Sequence, residues 1–249
     1  MNKAWFRFYE ELNDFLPSSR RKQEFMFEFE NDPSVKDVIE SLGVPHPEVD
    51  LILINGGSAD FSRKLQHGDR VSVYPVFESL DISDVQHLRP APLRETKFIL
   101  DVHLGKLARY LRLSGFDSEY DPGLKDNVII SRSLSGKRII LTRDKMLLKN
   151  RRVTHGYFVR SANPHVQIEE VVRRFDLASQ MKAFTRCLEC NVRVEDVSKE
   201  HIIDRLPEKT RTFYDRFWIC PSCKRIYWEG SHYERMKEFV EKLRISGNS

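Results

Sequence analysis

All four cysteines of the chain fall in two pairs, Cys187-Leu188-Glu189-Cys190 and Cys220-Pro221-Ser222-Cys223, with 29 residues between them. Each pair turns two sulfurs toward one point, and two such knuckles complete a tetrahedral shell with Zn–S bonds of about 2.3 Å. A redox dithiol needs one pair only, so the second knuckle argues for Zn²⁺. With Cys187, Cys190, Cys220 and Cys223 all coordinating, no position is left for water, and the ion is structural. Four cysteines in 249 residues are also too few for a disulfide framework. Residues 183–249 are therefore expected to form a zinc ribbon followed by a C-terminal helix.

Around the second knuckle, Phe213, Tyr214, Phe217, Trp218, Tyr227, Trp228 and Tyr233 alternate with Arg211, Arg216, Lys224, Arg225 and Arg235. Such a set stacks unpaired bases and contacts phosphate. It serves equally as the core of a small ribbon. His232 reads as a surface or capping residue, because four thiolates already fill the metal shell.

Ahead of the ribbon, short apolar runs alternate with helical stretches. Phe98-Ile99-Leu100 is a buried strand ending at Asp101, and Leu104, Leu107, Ala108 and Leu111 mark one helical face closed by Gly115. A second strand covers 116–120, a helix starts at Asp126, a third strand covers 138–142 with Asp144 directly after it, and a short helix includes Met146 to Leu148. A fourth strand, 156–160, precedes a helix over 164–175. Connections this short imply an α/β architecture, a parallel sheet with flanking helices. Ligands of such sheets sit beyond the carboxyl ends of the strands. Asp101, Asp126 and Asp144 all fall there, and clustered carboxylates with hard oxygens suit Mg²⁺ or Mn²⁺, a metal chemistry that serves phosphodiester hydrolysis. Each of the three also stands where a helix N-cap would.

Lys106, Arg109 and Arg112 run along the face of the first helix of this segment opposite its leucine stripe, and Arg143 adjoins Asp144. They are read as phosphate contacts, with a solvated basic face as the alternative. The whole-chain charge of +4 conceals an uneven distribution, −5 over 1–94, +7 over 95–182 and +2 over 183–249. The positive segment is the one that carries the acids, a pattern suited to a polyanionic substrate. No apolar run approaches the ~20 residues of a membrane helix and no apolar leader follows Met1, so a cytoplasmic protein is expected.

Residues 1–82 open with two apolar-alternating runs, Trp5 to Tyr9 and Glu24 to Glu30, that should pair as a hairpin. Ser34 and Asp37 form a capping-box pattern before Val35, Val38, Ile39 and Leu42. Two more strands follow, Leu51 to Ile54 and Val71 to Tyr74, and the order ββαββ is that of a β-grasp domain. Through Leu53-Ile54-Asn55-Gly56 and His67 to Pro75 the segment resembles the ubiquitin-like sulfur carriers. Their chemistry resides in a terminal Gly-Gly, which this chain lacks, so a structural or partner-docking module is expected and a sulfur-transfer role is disfavoured. Residues 83–96, with two prolines and no periodicity, read as a linker.

The run Lys97 to Asp101, the stretch Leu104 to Asp117 and Arg138 to Asp144 resemble the RNase domain at the C terminus of the Mut-seven exonuclease, a branch of the PIN-like nucleases. That resemblance implies a PIN-like domain over 97–182, a zinc ribbon after it, a β-grasp domain before it in some bacterial members, and metal-dependent RNA cleavage. Asp101 and Asp144 match the family acids, with Asp126 less closely aligned. PIN domains usually present four acids, and the fourth has only Asp117 and Asp121 as candidates. A metal-dependent ribonuclease is thus expected, with RNA as partner. The alternative is a non-catalytic RNA-binding or adaptor protein with a degenerate site.

Overall fold

The computed structural model describes residues 1–75 and 96–247. Apart from Thr96, the expected linker lies outside the described residues. Two compact units emerge, one combining residues 1–95 with 130–158, the other combining 96–129 with 159–249.

In the first unit a five-stranded sheet has the order β2-β1-β5-β3-β4, built from β1 (Asn2–Phe8), β2 (Phe25–Phe29), β3 (Leu51–Ile54), β4 (Gly57–Ala59) and β5 (Arg70–Tyr74). The β1–β2 hairpin is antiparallel with Ala4 opposite Phe27, and β1 runs parallel to β5 with Phe6 opposite Val71. That central parallel pair is the mark of a β-grasp sheet. Helix α1 (Val35–Ser41) starts at the capping box. Asp37 N–H donates to Ser34 Oγ (3.2 Å) and Ser34 N–H to Asp37 Oδ2 (3.3 Å). Its buried Val35, Val38 and Ile39 join Phe6, Phe8 and Ile52 in one core.

Residues 130–158 contribute β8 (Ile139–Thr142), α4 (Lys145–Leu148) and β9 (Gly156–Phe158) to the same unit, with β8 parallel to β9. They are bonded to the β-grasp segment by buried polar groups. The Glu48 carboxylate, fully buried, accepts the Phe158 N–H (2.5 Å). His46 spans Glu40 Oε1 (2.6 Å) and the Val153 carbonyl (2.7 Å), and Lys149 Nζ donates to the Glu40 carbonyl (2.6 Å). Phe15 meets Phe158 edge-on at 5.5 Å, with Lys145 Nζ over both rings.

The second unit holds β6 (Lys97–Leu100), α2 (Gly105–Leu113), β7 (Asp117–Glu119) and α5 (Pro164–Arg174). Strand β7 runs parallel to β6, and helix α3 (Asp126–Gly136) follows β7 in the chain. Beyond α5 come an antiparallel sheet of β10 (Glu195–Val197), β11 (Phe217–Ile219) and β12 (Ile226–Trp228), the short α6 (Glu208–Phe213) between its first two strands, and the terminal α7 (Ser231–Gly247). At the end of α2 the chain turns through Gly115 at φ +96°, where a Cβ would stand 2.2 Å from the Lys182 carbonyl oxygen. No helix among the described residues is long and apolar enough to cross a membrane.

Candidate functional site

Strand β6 is buried over Phe98, Ile99 and Leu100, and its next residue, Asp101, keeps its carboxylate inside the protein at 6% exposure. Asp101 Oδ1 accepts the Val102 N–H (2.6 Å), which caps the single turn Val102–Leu104 leading into α2. Burial of a carboxylate is costly unless it is paired or holds a cation. Asp126 is the exposed first residue of α3. Asp144, also exposed, caps α4 by accepting the Met146 N–H (2.7 Å), and its own N–H donates to Thr142 Oγ1 (2.9 Å). For Asp101 and Asp144 the capping role anticipated from sequence is therefore real. Asp101 and Asp126 belong to the second unit and Asp144 to the first.

The two candidates for a fourth acid have other work. Asp117 accepts from Asn191 Nδ2 (2.7 Å) and faces Arg186 at 3.9 Å. Asp121 accepts the Gly123 N–H (2.8 Å), closing a turn.

The expected phosphate contacts divide. Lys106 is exposed, and Arg143 is half-buried. Arg109 pairs with Glu189 (2.9 Å), a carboxylate that it shares with Arg225 (2.9 Å). Arg112 departs from expectation, being only 4% exposed. Its Nε donates to the Ser118 carbonyl (2.9 Å), and its Nη1 to the carbonyls of Leu188 (2.9 Å) and Glu189 (2.8 Å). A guanidinium that gives Nε and Nη1 to three backbone acceptors is a brace between β7 and the first knuckle. Burial holds its pKa below the ordinary arginine value, and the neighbouring Cys187 and Glu189 oppose that shift.

The four thiols are brought together, their sulfurs all within 4.8 Å of one another. Both knuckles fold by the same turn. Asn191 N–H bonds the Cys187 carbonyl (3.0 Å) and Lys224 N–H the Cys220 carbonyl (2.9 Å), and the residue after each second cysteine is left-handed, Asn191 at φ +63° and Lys224 at φ +60°. Zn–S bonds of about 2.3 Å imply tetrahedral S···S edges of about 3.8 Å, and Cys187 Sγ lies 3.6 Å from Cys223 Sγ. Burial pushes the Cys187 thiol up, but donation from the Tyr227 hydroxyl (3.1 Å) and from backbone N–H groups outweighs it and brings the thiol down to about 7. The sulfur–sulfur hydrogen bond with Cys223, then burial and the nearby sulfurs, push Cys190 up to about 12. Sulfurs this close cannot all lose their protons without a cation among them, so the donor set fits a thiophilic ion such as zinc.

Sequence reasoning missed the residues that fix the first knuckle in place. Asn191 Oδ1 accepts the Ser118 N–H (2.9 Å), and Arg186 donates to the carbonyls of Gly115 (3.1 Å) and Asn191 (2.8 Å). Only the left-handed turn after a knuckle, a place that suits asparagine, signalled any of them.

Residues 96–240 match the family model of the Mut7-C RNAse domain, and residues 1–81 match that of the Mut7-C ubiquitin domain. No curated protein and no solved structure matches the chain.

Proposed function

Because the chain belongs to the Mut7-C RNAse domain family, we propose that it is a cytoplasmic, metal-dependent ribonuclease, with Asp101, Asp126 and Asp144 as its acids and Mg²⁺ or Mn²⁺ as the catalytic ion. The observation that carries this reading is Asp101, a carboxylate buried at the carboxyl end of a parallel strand, where ligands of such sheets sit. Oxygen donors of this kind suit a hard divalent cation. When bound, such an ion supplies positive charge to the phosphate and to the leaving oxygen. The chain's own share is to hold Asp101 rigid through the Val102 N–H and to bring RNA phosphates to Lys106, Arg109 and Arg143. Arg112, which gives Nε and Nη1 to backbone carbonyls, supports that set by bracing the helix that carries Lys106 and Arg109.

In the same reading Cys187, Cys190, Cys220 and Cys223 hold a structural Zn²⁺, and the module boundaries are 1–82 for the β-grasp domain, 83–96 for a linker, 97–182 for the nuclease domain and 183–249 for the ribbon. The β-grasp domain is a docking module for a protein partner.

The test is cleavage of single-stranded RNA with Mg²⁺ or Mn²⁺ by the wild type and by Asp101→Asn. Loss of the charge partner is expected to slow cleavage roughly 10²-fold or more, in line with the several kcal/mol such an ion contributes. Equal rates in the two proteins would sink the assignment and favour a non-catalytic RNA-binding protein.

A further inference from the structure

We propose that the ribbon face carrying Trp218 and Tyr227, together with Tyr233 of α7, forms a stacking cleft for an unpaired base of single-stranded RNA. The ligand class rests on the ribonuclease reading. The cleft itself rests on register and packing within the second unit.

In the ribbon sheet Trp218 stands opposite Tyr227, while Phe217 stands opposite Trp228 and Ile219 opposite Ile226. Side chains alternate between the two faces along a strand. Phe217, Ile219, Ile226 and Trp228 gather with Ile202 and Leu206 into the small ribbon core. One face therefore serves the core, and Trp218 and Tyr227 occupy the other. Tyr227 is fixed there by its hydroxyl, which donates to Cys187 Sγ (3.1 Å) and accepts the Leu188 N–H (3.1 Å), and Trp218 stands beside it.

That second face borders a cavity of about 280 Å³ that Phe184 and Tyr233 also line. The rings of Phe184 and Tyr233 lie 4.4 Å apart at 39° and form one wall. Trp218, Tyr227 and Tyr233 are all half-buried. A second cleft of about 490 Å³ adjoins the first through Tyr227, Trp228 and Tyr233, and includes Phe213, which is 73% exposed.

Charge sets the kind of occupant. Arg216 lies over the Trp218 ring with its guanidinium carbon 5.4 Å from the centroid, and Lys209 lines the second cleft. Arg216 and Lys237 act on Tyr233 from one sign, Glu229 and Glu234 from the other. Cations beside aromatic slots match a ligand whose flat, neutral part enters while its phosphates stay outside, as in single-strand binders. Glu229, on the wall of the first cleft, adds an acceptor for a base amino group.

The experiment uses the full-length, zinc-loaded protein without added divalent cation, so that RNA is bound and not cut. Oligoadenylate of about 12 nucleotides, within the range of single-strand site sizes, is compared with an abasic ribose-phosphate strand of equal length, by anisotropy and by tryptophan fluorescence. Stacking of about 1–3 kcal/mol per base corresponds to a 5- to 150-fold loss of oligoadenylate affinity in Trp218→Leu and in Tyr233→Leu. Trp218→Phe, which keeps a ring, should retain most of the affinity. The abasic strand should bind all four proteins alike and weakly. Zinc content and the urea midpoint report folding of each variant, and the comparison of the two strands on wild type stands even where a variant fails to fold. Equal affinity of wild type for the two strands, or unchanged oligoadenylate binding in folded Trp218→Leu and Tyr233→Leu, would overturn the cleft. Failure of the ribonuclease reading registers separately, as cleavage by Asp101→Asn equal to wild type.

Discussion

Arg112→Met tests the division between bracing and substrate-facing cations, because methionine keeps most of the apolar stem and removes every donor. Three acceptors lose their partner, the carbonyls of Ser118, Leu188 and Glu189. Ser118 is fully buried, so its carbonyl bears the full cost of about 1–3 kcal/mol for an unmade hydrogen bond. The other two regain water in part and add about 1 kcal/mol each. Relief of the buried guanidinium returns some of this, which leaves a net loss of about 2–4 kcal/mol. With a urea slope of about 2 kcal/mol/M, the middle of the usual range, the unfolding midpoint should fall by roughly 1–2 M. Leu188 and Glu189 are the two residues between the first pair of cysteines, so zinc should also leave faster to a chelator. Arg109→Met is the control. Its side chain is 53% exposed and its partner Glu189 keeps Arg225, so the loss should stay below about 1 kcal/mol. The reasoning is refuted if Arg112→Met lowers RNA affinity while the midpoint and zinc retention stay at wild-type values.

Gly115→Ala should destabilise the second unit by about 2–4 kcal/mol, from the left-handed backbone and from overpacking against the Lys182 carbonyl, and a urea midpoint close to wild type would contradict the close approach at 2.2 Å. Glu48→Leu strands the Phe158 N–H in a buried site and should cost about 1–3 kcal/mol, with faster hydrogen exchange at that amide; Glu48→Gln, which keeps an acceptor, should lose less. Cys190→Ser opens the sulfur shell, so metal analysis should find less than one zinc per chain and near-UV circular dichroism should lose the ribbon's aromatic signal, since metal binding and folding are one process in small metal domains.

Local patterns were legible where one face of one element decides the outcome. The Phe25, Phe27, Phe29 alternation became β2, and the Ser34–Asp37 pair became a reciprocal cap. Arg112 was misplaced for a reason that helical geometry makes visible. At about 100° per residue, Lys106 and Arg109 lie roughly 150° from the centre of the Leu104, Leu107, Ala108 and Leu111 stripe. Arg112 lies only about 90° away, at the edge of the buried face. A charged residue there needs acceptors, and two of its three come from residues more than seventy positions later. Local periodicity has no access to such pairings. The same holds for Glu48 and His46, whose partners at Phe158 and Val153 lie over a hundred residues away. Nothing in the local pattern therefore marks residues 130–158 as forming one compact unit with the β-grasp segment.

The continuous family match over 96–240 has a physical basis in the first knuckle. Asn191 bonds both Asp117 and the Ser118 amide, Arg186 reaches Gly115, and Arg112 returns from α2 to the Leu188 and Glu189 carbonyls. The ribbon thus completes hydrogen bonds that the strand and helix before it cannot make for themselves. Helix α2, nine residues and about 13 Å long, follows the single turn capped by Asp101 and carries Arg112 near its other end. The buried acid and the metal knuckle are consequently attached to opposite ends of one short helix. On the proposed reading, an ion held by that knuckle would stiffen the segment that orients Asp101.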